Sequence, residues 1–316
     1  MKVIEQLVAL DSYTYPVVTV GTFDGLHVGH HVIIDRVIER AASLNGTSIL
    51  ISFEPHPQTV VAPESAPYLL MTKDEKVRFL EQTKLDIVLI LPFTDAFSQM
   101  SAGDFVTSFL VEKIGLKEII IGRNHAFGKN RAGTLSELEK LGRQYGFSVH
   151  PVSPVAVDGR RVSSSWIREC LLRGDVEQAS KLLGRPFFFS GRVIHGDARG
   201  RTLTFPTANI QTIAAHKLYP AEGVYAIRAH QHERIYGGLM NIGRRPTFPE
   251  SDRTIEVHLF DFQEDIYDEV ITIDVMYRIR EERRFESEED LVDQIERDKS
   301  KALHMLSNAY TLTHVV

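Results

Sequence analysis

The hydrophobic period of this chain changes once, near residue 184, and that change limits the fold more than any other feature. Before it, apolar runs at residues 17–20, 48–53, 87–91 and 119–121 are rich in β-branched residues and lie beside Gly or Pro. Runs of that length and composition predict strands buried on both faces, as in a parallel sheet. Between them, residues 30–44 carry apolar side chains at helical spacing and stop at Asn45-Gly46, a helix-ending pair. Thr72-Lys-Asp-Glu75 and Thr134-Leu-Ser-Glu137 read as capping boxes that open two more helices. Such alternation implies right-handed βαβ crossovers, and ligands of such sheets sit at carboxyl strand ends where the strand order reverses.

Beyond the change the pattern is all strand. Asp175 is placed to cap a helix over 176–183, and Gly184-Arg185-Pro186 ends it. Strand-like runs follow at 191–195, 223–230, 234–241, 255–262 and 270–278, separated by turn residues. Several short strands in so little chain predict a small antiparallel barrel, which removes exposed edges by closing. Ser287-Glu-Glu-Asp290 opens a last helix whose apolar face is read as Leu291, Ile295, Ala302 and Leu303. The 316 residues thus divide into an α/β domain, 1–183, and a barrel domain with a C-terminal helix, 184–316.

Composition excludes several classes. There are 36 basic and 42 acidic side chains, a net charge of −6. The pI near 6.1 argues against a dedicated nucleic-acid binder, which needs basic surface to displace counterions. Cys170 is the one cysteine, so neither a disulfide framework nor a Cys-rich zinc module can form. No run approaches bilayer-spanning length, and Glu5 stands where a signal peptide would be apolar. These features predict a soluble cytoplasmic protein with no membrane or nucleic-acid partner, and leave a homo-oligomer open.

The first chemical constellation follows the first strand: Gly21-Thr-Phe23-Asp-Gly-Leu-His27-Val-Gly29-His30. Glycines let backbone approach a ligand closely, and a helix starting near His30 would point its free N–H groups and positive dipole end at an anion. Two imidazoles three residues apart can reach one oxyanion, with Gly29 leaving room between them. No Gly-Lys-Ser/Thr follows and the spacing is not that of a dinucleotide loop, so neither P-loop phosphoryl transfer nor hydride transfer fits. Two other readings stand: a glycine-rich turn whose histidines cap a helix, or a zinc site at His27, His30 and His31, which lacks the Glu of a metalloprotease helix.

Three further segments bear on this: Phe53-Glu-Pro55-His56-Pro57, Gly122-Arg-Asn124-His-Ala-Phe-Gly128, and Ser163-Ser164-Ser165-Trp-Ile-Arg168. Singly they read as a Pro-rich turn, a solvated basic loop and a serine N-cap. In this order at strand ends they resemble the adenylyltransferase half of prokaryotic bifunctional riboflavin kinase/FAD synthetases, within the nucleotidylyltransferase superfamily and its Rossmann-like fold. The resemblance covers residues 14 to about 183. It implies that His27 and His30 are catalytic and that Gly21, Phe23, Gly29, Asn124, Ser163, Ser164, Ser165 and Arg168 bind ATP. It further implies that Phe53, Pro55 and His56 meet the flavin. The chain departs from the family at Ala126, where an arginine is common, and carries Ser165-Trp166 where the family has Thr and a variable residue.

The second constellation is Gly191-Arg-Val-Ile-His-Gly196-Asp-Ala-Arg199-Gly200-Arg201-Thr-Leu-Thr204-Phe-Pro206-Thr207-Ala-Asn209. Glycines at 196 and 200 allow the backbone to wrap a polyphosphate beside Arg199 and Arg201, and Thr207 and Asn209 offer hard oxygens that suit Mg²⁺. Alone it reads as a hairpin turn before a Pro-broken edge strand. With Asn241-Ile-Gly-Arg-Arg-Pro-Thr-Phe248, Glu256-Val-His258 and Arg280-Glu-Glu-Arg-Arg-Phe285, it resembles the riboflavin kinases over about 185–305, with Thr204 in place of a common Gly. That resemblance implies ATP binding by Gly196, Arg199, Gly200, Arg201 and Pro206, and flavin contacts from Arg280 and Phe285. It also implies Mg²⁺ at Thr207 and Asn209, with Glu256, at the barrel mouth, as the base for the ribityl 5′-hydroxyl. Tyr225, Tyr236 and Phe248 read as core before flavin wall.

The expected enzyme phosphorylates riboflavin to FMN and adenylylates FMN to FAD, using ATP and Mg²⁺ at both sites. The alternative is a riboflavin kinase whose first domain is reduced to a nucleotide- or flavin-binding regulator.

Overall fold

The computed structural model describes residues 1–5, 13–195, 206–214, 216–244 and 253–309. By compactness the chain divides into Met1–Ser164 and Ser165–Val316.

The first unit is built on a six-stranded sheet of β1 (Lys2–Ile4), β2 (Pro16–Val20), β3 (Thr47–Glu54), β4 (Ile87–Pro92), β5 (Glu118–Gly122) and β6 (Ser148–Val152). All neighbours run parallel, in the order β1-β4-β3-β2-β5-β6. The four expected strands are present. The sequence missed β1 and β6, which are too short or too mixed to show a period. Every residue of β2 is buried, as a central strand covered by helices on both faces requires. Val18, Ile49, Leu89 and Ile119 pack with Phe105, Phe109, Leu138 and Leu141 from helical segments.

The chain steps outward from β2 to β3 to β4, then returns to lay β5 on the other side of β2. The register between β2 and β5 runs only over Val17↔Glu118 and Val18↔Ile119, so the strands part toward their carboxyl ends. That crevice is the switch point of the sheet, and the segments starting at Gly21 and Gly122 leave from it. Helix Val28–Ser43 follows the first of them. At its far end Gly46 has no tolerance for a side chain: a Cβ there would meet Tyr15 O at 2.4 Å.

The second unit opens within helix Ser164–Leu172, and helix Val176–Leu183 follows, capped by Asp175 Oδ1, which accepts from Gln178 N at 3.0 Å. Six antiparallel strands then close a barrel: β9 (Phe187–Ile194), β10 (Ala208–Thr212), β11 (Gly223–Gln231), β12 (Arg234–Arg244), β13 (Arg253–Leu259) and β14 (Val270–Arg280), in the order β10-β13-β12-β11-β14-β9; the β7–β8 hairpin precedes them at Ala156–Val157 and Arg160–Arg161. Five strands were expected. The sixth, β10, hides behind Pro206, which removes a backbone donor two residues before its first residue. The first barrel strand also begins at Phe187, not at residue 191, because Phe187 and Phe189 are buried in the wall.

Strand alternation assigns the two barrel faces. Tyr225, Ile227, Met240, Ile242, Ile255 and Val257 are fully or nearly buried and fill the interior. Val224, Ala226 and Leu239 face outward and pack under Ala302 and Leu306 of helix Glu288–Ala309. Leu303 corrects the sequence reading of that helix: it is 46% exposed. The buried stripe steps through Ala302 and Leu306, and one residue further around the helix turns Leu303 by roughly 100° toward water.

Candidate active sites

After β2 the backbone coils tightly, with Phe23 at φ +47°, Gly25 at +86° and Leu26 at +41°. Left-handed conformations at Phe and Leu are costly and persist only where surroundings over-determine them. Here both side chains are buried, and three segments hold the loop. The Asp24 carboxylate accepts from Leu70 N at 3.0 Å and Met71 N at 3.1 Å. Thr22 O accepts from Lys76 Nζ at 2.7 Å and from Ser52 Oγ at 3.1 Å. Asp24 O accepts from Ser164 Oγ at 2.9 Å.

His27 caps helix Val28–Ser43, its Nδ1 accepting from His30 N at 3.2 Å. The rings of His27 and His30 stack with centroids 3.6 Å apart, and Phe23 meets His30 edge-on at 5.1 Å. A Cβ at Gly29 would stand 3.1 Å from the His27 ring, so a side chain there would crowd that imidazole. Burial, then the neighbouring His27, Lys76 and His31 charges, push the His30 pKa well below the ordinary histidine value. Its Nδ1 is buried and has no hydrogen-bond partner among the described residues. A neutral imidazole with an unused polar atom, at a helix N-terminus, is built to meet an anion.

Phe53, next to last in β3, packs with Phe93 at 5.6 Å and Phe97 at 5.7 Å. The aromatic chain continues from Phe97 through Phe105 to Phe127 and His125. Pro55 is exposed, and His56 Nδ1 accepts from Gln58 N at 3.2 Å, capping helix Pro57–Val61. Asn124 is exposed in the turn after β5, at the same strand ends. Ser163 is half-buried just before helix Ser164–Leu172, on which Ser164 and Arg168 share a face; Ser165 and Arg168 fall in the second compact unit, and Trp166 is core.

In the barrel, Asn209 of β10 lies opposite Glu256 of β13, and Glu256 lies opposite Asn241 of β12. Directly paired residues point to one side, so an amide, a carboxylate and an amide form a row across three strands. The row is on the face that carries the C-terminal helix, hence on the outer wall. Glu256 is mid-strand there, not at the barrel mouth, because the inward positions on β13 are taken by Ile255, Val257 and Leu259. His258 Nδ1 and Pro206 O are 2.9 Å apart, tying the start of the Thr207 segment to the same strand. Arg280 Nε donates to Asp298 Oδ2 at 2.8 Å, and its guanidinium lies 5.6 Å from the Phe285 ring, so the two expected flavin contacts stand together. Tyr225 is interior core and Tyr236 packs edge-on against Phe262 at 4.9 Å. Gly196, Arg199, Gly200, Arg201, Thr204 and Phe248 lie outside the described residues.

Residues 11–166 match the FAD synthetase family, and residues 183–306 match the riboflavin kinase family. A Haemophilus influenzae protein named bifunctional riboflavin kinase/FMN adenylyltransferase is 36% identical over 285 residues, 90% of this chain and 92% of its own length. Proteins of the same name from Bacillus subtilis and Escherichia coli K12 are 35% and 36% identical over 92% and 90% of this chain, and 93% and 91% of theirs. The chain belongs to the bifunctional riboflavin kinase/FMN adenylyltransferase family. A crystal structure described as a macrolide-efflux protein from Streptococcus pneumoniae matches with TM-score 0.85 and 29% identity, covering 95% of this chain and 97% of that one. That description belongs to the Streptococcus protein; among the described residues here, no helix is long and apolar enough to cross a membrane.

Within this bifunctional riboflavin kinase/FMN adenylyltransferase chain, sequence reading overlooked three features of the sites. Lys76 sits behind a capping box that was read only as a helix start. Phe93 and Phe97 lie where a two-residue turn and a short helix give no period. Asn241 opens the segment running to Phe248, but only the strand register puts it beside Glu256.

Proposed function

We propose that His27 and His30 carry adenylyl transfer and Glu256 carries riboflavin phosphorylation, in the two reactions of the family. ATP phosphorylates riboflavin to FMN; ATP then adenylylates FMN to FAD and pyrophosphate leaves. The observation that carries the first assignment is the stacked His27–His30 pair at the helix N-terminus, with His30 Nδ1 buried and unpartnered among the described residues.

In adenylyl transfer the FMN phosphate oxygen attacks the α-phosphorus of ATP and the bond to the β-phosphate oxygen breaks. The helix N-terminus and the imidazoles meet charge on the equatorial oxygens, so positioning and fixed dipoles supply the rate. A neutral His30 acts as a hydrogen-bonding group at working pH and not as a cation. Gly21, Phe23, Gly29, Asn124, Ser163, Ser164, Ser165 and Arg168 would hold ATP and receive pyrophosphate, while Phe53, Pro55 and His56 would border the flavin, Phe53 through its aromatic neighbours.

In phosphorylation Glu256 accepts the 5′-hydroxyl proton as that oxygen attacks the γ-phosphorus and ADP leaves. Asn209 and Thr207 supply oxygen donors next to that carboxylate, a set that fits Mg²⁺. Among the described residues no cluster of three or more His, Cys, Asp or Glu could hold a metal, so phosphate oxygens and water would complete its shell. When bound, the ion would offset phosphate charge. Gly196, Arg199, Gly200, Arg201 and Pro206 would bind this second ATP, and Arg280 with Phe285 the flavin.

We place the functional boundary between residues 183 and 184, and the protein in the cytoplasm without nucleic-acid partners; the reading is compatible with a homo-oligomer. Incubation with riboflavin, ATP and Mg²⁺, with FMN and FAD separated over time, tests the assignment. Wild type should make both, and His30→Ala should stop at FMN. Loss of both products in a folded His30→Ala protein would overturn it.

A further inference from the structure

Lys76 on helix Lys73–Glu81 is a buried charge: it is 6% exposed, and lysine is seldom buried unless it has partners. The reciprocal Thr72–Glu75 cap fixes where the helix begins, with Thr72 N donating to Glu75 Oε2 at 2.8 Å. Lys76, one turn before buried Leu80, is therefore directed inward. Its Nζ donates to Thr22 O at 2.7 Å and to Ser52 Oγ at 3.1 Å, and Ser52 Oγ donates to the same carbonyl. Thr22 is the last residue before the left-handed stretch that leads to His27. A planar trans peptide carries its N–H opposite its C=O, so anchoring Thr22 O also sets the direction of the Phe23 N–H. The ammonium thus reaches the phosphate loop from behind, at the bond from which the loop's strained residues depart.

We propose that Lys76 is a positioning residue for adenylyl transfer, clamping Thr22 and Ser52 so that the 21–27 loop holds the His27–His30 pair against the α-phosphate. The proposal rests on the reading that adenylyl transfer occurs at this loop. The same ammonium has an electrostatic effect. His30 is faced by His27 and His31 from its own helix and by Lys76 from helix Lys73–Glu81, and all three disfavour its protonation, after burial itself. Lys76 in turn is faced by the Asp24 and Glu54 carboxylates, which favour its charge against the desolvation that lowers its pKa. The ammonium behind the loop therefore bears on both the shape of the loop and the charge state of His30.

The test uses the full chain with three substitutions: Lys76→Met, Lys76→Gln and His30→Ala. Adenylylation is followed with FMN and ATP supplied directly, as kcat and KM across pH; riboflavin phosphorylation in the same sample reports that the protein is intact. Lys76→Met should cut adenylylation kcat by at least about tenfold, the scale of a misplaced reacting group, with phosphorylation within about twofold of wild type. Its acid limb should move to higher pH, because removing a positive neighbour makes His30 easier to protonate. Lys76→Gln keeps an N–H donor for Thr22 O and loses the charge, so it should shift the acid limb while retaining more of kcat. If Lys76→Met does not fold, the Lys76→Gln profile decides. An unshifted acid limb, with the rate either unchanged or lowered equally at every pH, overturns the proposal and leaves Lys76 a structural lysine. His30→Ala separates the layers: if it still adenylylates, the site reading itself fails, whereas its inactivity beside a wild-type-like Lys76→Met rejects the clamp alone.

Discussion

Glu256 and His30 are both half-hidden polar residues, and their surroundings give them opposite demands. Glu256 lies between two amides, Asn209 and Asn241, on an outer barrel wall. Glu256→Gln should cut riboflavin phosphorylation by at least about 10²-fold, the usual range for a lost general base, while riboflavin affinity holds because the amide keeps the shape. Adenylylation of supplied FMN should be unaffected; separate assays with riboflavin and with FMN check this. His30, by contrast, is kept neutral by burial, with its pKa well below the ordinary 6.5. The sign follows from proton uptake: below pH 6.5 the unfolded chain binds a proton that the folded one refuses. The stability held through His30 is therefore full above that pH and lost as pH falls toward the folded pKa. Melting temperature measured against pH should fall more steeply below 6.5 for wild type than for His30→Ala.

At the scale of elements, the 21–27 loop depends on its supports more than on its own residues. Strand β3, the segment at 70–76 and Ser164 each contribute a hydrogen bond to it, which is how left-handed Phe23 and Leu26 survive. The opposite end of helix Val28–Ser43 is held just as tightly. Gly46 passes against Tyr15 O, and Tyr15 and Arg40 both donate to Glu118, whose pKa is lowered by the Arg40 hydrogen bonds despite burial. Gly46→Ala would press a methyl against a backbone oxygen that cannot give way, an overpacking cost of about 1–3 kcal/mol. Chemical denaturation should register that loss in the midpoint with the slope unchanged.

Across the whole molecule, the helices at 164–183 are where sequence and compactness part company. The hydrophobic period changes after them, yet they hold to the barrel: Ala221 N donates to Leu171 O at 2.9 Å, and Arg278 Nη1 to Arg173 O at 3.3 Å. A fragment starting at Gly184 contains every barrel strand and should phosphorylate riboflavin. A fragment starting at Ser165 should do so with a higher melting temperature, because it keeps those bonds; paired thermal melts and riboflavin kinase assays decide between them. What the sequence determined by itself were the features with local causes. Periods of two and 3.6 separate strands from helices, and capping boxes mark helix starts. The sixth strand and the short edges escaped because three to five mixed residues carry no period. Tertiary structure alone decided which face of β13 Glu256 occupies, that Asn209 and Asn241 flank it, and that Leu303 faces water while Asp298 is buried against Arg280. It also decided that Lys76 is buried. Each of these depends on partners distant in the chain, and no local pattern encodes which distant carbonyl a side chain will meet.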